Sequence, residues 1–227
     1  MTYLPIFSTL VTFAFTFFVF RRYLAKGGAH LSHWAFGLLL YGLGTLSEII
    51  LAFSFNEWVL KLWYLCGAIL TAAWLGQGSI HLLIRKGNTA KYLTYGLAVV
   101  SLLALGLTFT ASLTGAQAGY LVSVPVSEQY KEILTRSGLM IFLTVIFNIY
   151  GTLGLVGGAL YSSFLFWRKR VLMNRMFGNI LIAAGALFPA TGGTFVQAGM
   201  LDWLYISELL GAILMFIGFM LATSGKD

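Results

Sequence analysis

Apolar residues in this chain run in long blocks rather than alternating with polar ones. Seven such blocks occupy about 4–20, 34–54, 58–83, 92–113, 138–166, 177–197 and 203–221. A bilayer core about 30 Å thick takes about 20 predominantly apolar residues as a helix, so each block predicts one membrane-spanning helix. Short connectors such as Phe55-Asn56-Glu57 and Met200-Leu201-Asp202 make neighbouring helices antiparallel. The blocks are too long for strands and lack a period of two, which argues against a β-barrel. The expectation is an all-α polytopic membrane protein, with residues 1–227 forming a single seven-transmembrane-helix bundle.

Composition agrees with the pattern. Of the 227 residues 59% are hydrophobic and 9% charged, which leaves too little polar surface for a water-soluble globule and too much apolar surface for disorder. The formal charge of +7 raises the question of a nucleic-acid partner, and its distribution answers it. Arg21, Arg22 and Lys26 follow the first block, Arg85, Lys86 and Lys91 the third, Arg168, Lys169, Arg170 and Arg175 the fifth, and Lys226 the last. The opposite side holds only Lys61, Lys131 and Arg136, beside Glu57, Glu128, Glu132 and Asp202. Basic residues mark cytoplasmic loops, so the N-terminus is expected outside and the C-terminus in the cytoplasm, with the lipid bilayer and no nucleic acid as partner. The bacterial cytoplasmic membrane is the expected location. The first block lacks a basic leading segment and has its positive charges after it, as in a retained anchor. Trp34, Trp58, Tyr92, Trp167 and Trp203 fall near block ends, where an aromatic belt belongs. The single cysteine, Cys66, excludes an internal disulfide.

The one sizeable connector, 115–136, contains Tyr120, Pro125 and Tyr130. It is either a plain linker or an amphipathic lid over an outer cavity. Two short matches, Gly67-Ala-Ile-Leu with Gly211-Ala-Ile-Leu and Phe36-Gly with Phe177-Gly, have different offsets and carry an internal repeat weakly. No nucleophile–base set and no zinc-hydrolase motif is visible, so an enzyme is not expected. A retinal protein is excluded because no lysine lies within the last block.

Ionisable residues inside a span are costly and face protein or a water-filled cavity. Glu48 and Glu208 are two such residues. At about 1.5 Å rise per residue both fall roughly 6 Å to the outer side of their spans' midpoints, and Asn148 lies at nearly the same depth. Glu48 shares a helical stripe with Gly44, Tyr41 and Gly37; Glu208 with Gly211 and Gly218; Asn148 with Gly151, Thr152 and Gly158. Small residues mark close helix contacts in membranes, so all three polar groups are expected to point into the bundle. Tyr64, Thr191, Ser207, Thr194 and Gln197 are candidates to join them, beside a sixth span loosened by Pro189. The carboxyls are either hydrogen-bonded structural contacts between helices or a site for a proton, a cation or a small polar ligand. A second polar group, Gln77, Ser79, His81, Asn179, His30 and His33, lies toward the cytoplasmic side. Its histidines are read as solvated or hydrogen-bonded, and no metal or cofactor is expected.

The stretches Tyr41-Gly-Leu-Gly-Thr-Leu-Ser-Glu48, Lys61-Leu-Trp63-Tyr64-Leu-Cys-Gly67-Ala and Ala73-Trp74-Leu75 resemble the seven-helix membrane module at the N-terminus of some bacterial histidine kinases. The resemblance covers about 35 residues and implies a sensor-like bundle with Glu48 and Trp63–Tyr64 in the sensing region. No kinase domain accompanies it here, so signalling would need a separate partner. The expected function is a receptor- or sensor-like protein with a ligand site in the outer half. A small proton- or cation-coupled transporter and an accessory subunit of a larger membrane complex are the alternatives.

Overall fold

Among the described residues the chain forms eight helices. The computed structural model describes residues 3–115, 119–122, 124–170, 172–197 and 201–224, and of residues 190, 192–197, 201 and 202 the backbone alone. The helices are α1 (Tyr3–Lys26), α2 (Ala29–Leu51), α3 (Glu57–Leu83), α4 (Thr89–Thr110), the short α5 (Val126–Ile133), α6 (Gly138–Lys169), α7 (Met173–Gln197) and α8 (Leu201–Thr223). Among the described residues six helices are long and apolar enough to cross a membrane: α1, α2, α3, α4, α6 and α8 within Trp203–Thr223. The count is six and not the seven expected. The remaining block, 177–197, lies within the continuous helix α7, which carries Pro189 inside it, and the side chains of 190 and 192–197 lie outside the described residues.

Local chemistry sets the ends. Gly27 and Gly28 join α1 to α2 at φ of 66° and 104°, a region side-chain-bearing residues avoid. Asn56 caps α3, its side chain accepting from the Val59 amide at 3.1 Å, and Ser137 caps α6 by accepting from Met140 at 3.2 Å. Two helices are not regular throughout. α3 widens into a π-helical turn at Tyr64–Leu70 and α6 into another at Leu153–Gly157. Such turns leave carbonyls without their usual partner and often sit at functional places.

Glycines bring the helices together. A Cβ built on Gly185 or on Gly211 would lie 2.7 Å from the other's carbonyl oxygen, and Gly178 and Gly218 repeat the relation at 2.6 Å. These two pairs form one seam between α7 and α8. α3 and α6 meet as closely, for a Cβ on Gly151 would stand 2.1 Å from the Ala72 carbonyl carbon and one on Gly76 2.7 Å from Gly151. In a bilayer, where helix association rests on packing, backbone contact of this kind holds a bundle together.

The buried apolar residues form two clusters. One gathers Leu60, Trp63, Tyr64, Met140 and Phe147 with Val126 and Ile133 of α5; the other gathers Phe15, Leu38, Leu75, Met215 and Phe219. Large apolar side chains such as Phe17, Leu102, Phe142 and Ile149 point outward, as lipid-facing residues do. The connector before α5 is anchored to the bundle. Leu113 and Leu134 form an isolated antiparallel bridge, and the Tyr120 hydroxyl donates to the Leu51 carbonyl at 3.0 Å. Burial, and secondarily the Glu48 carboxyl, pushes the Tyr120 phenol up to about 12. Residues 126–133 are thus an amphipathic helix packed on the core through Val126 and Ile133, so this part of the connector is not a plain linker.

Candidate functional site

Glu48, Asn148 and Glu208 line one cavity of about 430 Å³ between α2, α3, α5, α6, α7 and α8. Glu48 projects from the stripe that also presents Tyr41, Gly44 and Thr45 to the cavity. It is 6% exposed; its Oε1 accepts from the Trp63 Nε1–H at 2.9 Å, and its Oε2 is buried with no hydrogen-bond partner. Glu208 shows the same condition, with Oε2 buried and unpartnered, while its backbone carbonyl accepts from the Tyr41 hydroxyl at 3.0 Å. The two carboxyls are within electrostatic reach of each other, and no hydrogen bond joins them.

The π-turn of α3 builds one wall. It exposes Gly67 and Ala68 to the cavity, and its Cys66 carbonyl accepts from the Thr71 amide five residues on. The Thr71 hydroxyl donates to Cys66 at 2.7 Å, and the Asn148 amide donates to Ala68 at 2.7 Å and to Thr144 at 2.8 Å. Asn148 therefore clamps α6 to the widened turn, and the donor half of its amide is fully used. α5 contributes Ser127, Tyr130 and Lys131, with the Ser127 hydroxyl buried and unpartnered. Tyr130 packs against Trp63 at 5.1 Å and Tyr64 at 5.6 Å between ring centroids.

The other expected residues lie elsewhere. Tyr64 is buried behind the wall, its hydroxyl bonded to Thr144 at 3.1 Å, because the π-turn that begins at this residue aims it toward α6. Thr191 is exposed and donates to Phe188 at 2.8 Å; Ser207 is buried and donates to Leu204 at 2.7 Å. Short hydroxyl side chains reach their own helix's carbonyls before any neighbour. The side chains of Thr194 and Gln197 lie outside the described residues. Of the glycines grouped with Glu208, Gly211 and Gly218 face α7. Sequence reading missed Trp63 as the partner of Glu48 by geometry, and Ser127, Tyr130 and Lys131 as lining residues. The signal for the last three was present in the helical spacing of the apolar residues Val126, Tyr130 and Ile133 among polar ones.

The second polar group forms a separate network. Gln77, fully buried, donates to Ala90 at 2.9 Å and Thr94 at 2.8 Å, and its Oε1 accepts from the Tyr150 hydroxyl. Thr94 also meets His81 Nε2 at 2.8 Å and His33 Nε2 at 3.3 Å, while the His33 Nδ1–H donates to Ala29 at 2.5 Å. The two imidazoles stack at 4.6 Å. Ser79, Asn179 and His30 stand outside this chain of bonds; the Asn179 amide donates to Arg175 at 2.8 Å, and the His30 ring packs edge-on to Trp34 at 5.6 Å. Among the described residues no group of three or more His, Cys, Asp or Glu is placed to hold a metal ion.

No protein-family model, curated protein or solved structure matches the chain.

Proposed function

We propose that the protein is a receptor- or sensor-like bundle, with α7 as a seventh span beside the six long apolar helices, that binds a small ligand in the Glu48–Asn148–Glu208 cavity. Its N-terminus lies outside and its C-terminus in the cytoplasm of a bacterial cell. One observation carries the reading: a cavity of about 430 Å³, within the size of small-molecule sites, lined by two acids that each keep a buried oxygen without a hydrogen-bond partner. Uncompensated buried polar groups are costly, and a ligand that satisfies them accounts for their retention.

The floor of the cavity favours binding over transport. Leu75, Leu155 and Met215 also line a second void of about 30 Å³, which is otherwise bounded by Phe15, Val19, Trp34, Leu38, Ile182 and Phe219. A polar path from the carboxyls toward Gln77 and His81 would have to cross this apolar layer or the glycine contact between α3 and α6. Orientation is supported by the clustering of basic side chains at one end of the bundle, where the Arg22 guanidinium donates to the Thr223 carbonyl at 3.0 Å. The resemblance to the kinase membrane module places Glu48 and Trp63 in a sensing region, and here the two are directly bonded. Signal output then passes to a separate partner at the cytoplasmic end.

The test combines native mass spectrometry with flux. A Cβ at Gly67 meets only Gly44 Cα at 3.8 Å, so Gly67→Phe fills the cavity without backbone collision. The wild-type protein is expected to retain added or co-purified small molecules that the filled variant releases, and to show no proton flux in proteoliposomes. Gradient-driven flux that requires Glu48 would replace this reading with transport.

A further inference from the structure

Donor and acceptor accounting in the cavity points to the chemistry of its occupant. The Trp63 indole N–H is bonded to Glu48, the Tyr41 hydroxyl to the Glu208 carbonyl, the Thr71 hydroxyl to Cys66, and both donor contacts of the Asn148 amide go to carbonyls. Glu48 Oε2, Glu208 Oε2 and the Ser127 hydroxyl remain, each buried without a partner; an ionised carboxylate only accepts, whereas the hydroxyl can donate or accept. Lys131 is the one basic residue lining the cavity among the described residues; it is exposed and makes no ion pair with either acid. With both acids ionised, an occupant that brings N–H donors and positive charge offsets both charges and satisfies both oxygens.

Size and wall chemistry narrow the class. An inorganic divalent ion such as Ca²⁺ takes six to eight oxygens at about 2.3–2.6 Å, whereas much of this wall is Leu75, Leu155, Val156, Ala186, Leu204 and Met215. A volume of about 430 Å³ accommodates an organic body against those side chains. The Trp63 and Tyr130 rings, in contact with each other and both lining the cavity, supply π faces that attract organic cations. Resting on the ligand-binding reading above, we infer that the occupant is a small organic ammonium ion with an apolar body, its N–H groups shared between the Glu48 and Glu208 carboxyls.

The experiment uses the full chain in nanodiscs with three matched probe pairs read by isothermal titration at constant ionic strength. The cations are n-butylammonium and 2-phenylethylammonium; the neutral isosteres are butan-1-ol and 2-phenylethanol; the anions are butyrate and 3-phenylpropanoate. At least one ammonium probe should bind saturably and at least tenfold more tightly than its alcohol and acid counterparts. Glu48→Gln and Glu208→Gln, each able to keep the fold through an amide of the same shape, should each lower that affinity at least tenfold. Binding of an alcohol or acid as tight as that of its ammonium counterpart, and abolished by Gly67→Phe, overturns the ammonium assignment and leaves the ligand cavity standing. Ammonium binding that survives both glutamine variants also overturns it. Failure of all six probes in a protein with an unchanged melting profile overturns the assignment; if that protein also carries no small molecule that Gly67→Phe releases, the ligand-binding reading falls with it.

Discussion

The indole N–H of Trp63 on α3 donates to Oε1 of Glu48 on α2 at 2.9 Å, deep in the bundle. This bond satisfies one carboxyl oxygen and leaves the other buried without a partner, so it fixes the orientation of the Glu48 carboxyl. Trp63→Phe keeps the ring's bulk and removes the donor. A buried acceptor left without its partner costs about 1–3 kcal/mol, and the variant should lose stability by that amount in denaturant titrations in micelles. An unchanged midpoint would show that Glu48 is held by other contacts.

The α3–α6 seam makes a sharper demand. Gly151→Ala would place a methyl group 2.1 Å from the Ala72 backbone, and neither element can move without opening the bundle. Overpacking commonly costs about 1–3 kcal/mol, and a backbone obstacle puts this variant at the upper end. Gly106 on α4 has nothing within 4 Å of a built Cβ, so Gly106→Ala is the matched control. It should be neutral or stabilising by up to about 1 kcal/mol. Equal melting temperatures for the two variants would contradict the close approach.

Thr94 is the hub of the second polar network, touching Gln77, His81 and His33 while bonding its own helix at Ala90. Thr94→Val preserves shape and deletes every one of these bonds. Because Gln77 is fully buried, an amide hydrogen loses its acceptor, and a loss of about 1–3 kcal/mol is expected in the same unfolding assay. Binding of the cavity ligand should be unaffected, since Gln77 and Thr94 do not line the cavity.

Tyr120 offers a pH-dependent signature outside the membrane-spanning helices. Its phenol is raised from an ordinary 10.0 to about 12 on folding, so the folded state favours the neutral form. The stabilisation is complete below pH 10 and is lost as pH climbs toward 12, when the ionised oxygen can no longer donate to Leu51. Difference ultraviolet titration of wild type against Tyr120→Phe should reveal one phenol ionising late. Ionisation of that residue at the ordinary tyrosine value would show the connector undocked.

Orientation is measurable because Cys66 is the sole cysteine and is buried. In a Cys66→Ala background, a membrane-impermeant maleimide should label Ser54→Cys in intact cells. Asn88→Cys, in the basic connector between α3 and α4, should label only after lysis. The reverse pattern would invert the proposed topology.

How much of this was legible beforehand follows from what each feature depends on. Helix positions depend on runs of apolar residues, and the blocks at 4–20, 34–54, 58–83, 92–113, 138–166 and 203–221 all recur as long helices because a run that length has no other way to bury its backbone in lipid. The block at 177–197 likewise falls within one continuous helix, α7. Glu48, Asn148 and Glu208 could be brought to one depth by counting residues at a fixed rise per residue, and the structure places all three on one cavity.

Counting along a chain predicts depth, whereas the direction of a side chain depends on helix geometry and on neighbours. The π-turn at Tyr64–Leu70 has no marker in residue type, yet it carries the Gly67 and Ala68 that line the cavity and the Ala68 carbonyl that accepts from Asn148. Thr191 and Ser207 lie in the expected helices but bond within their own turns. The sequence alone therefore determined that the chain is a helical membrane bundle and which acids are buried in it, because hydrophobic run length and the cost of charge in lipid are local properties. Tertiary structure alone decided that Trp63 holds Glu48, that α5 lines the cavity, and that an apolar layer underlies it, because those relations arise only when separate helices pack.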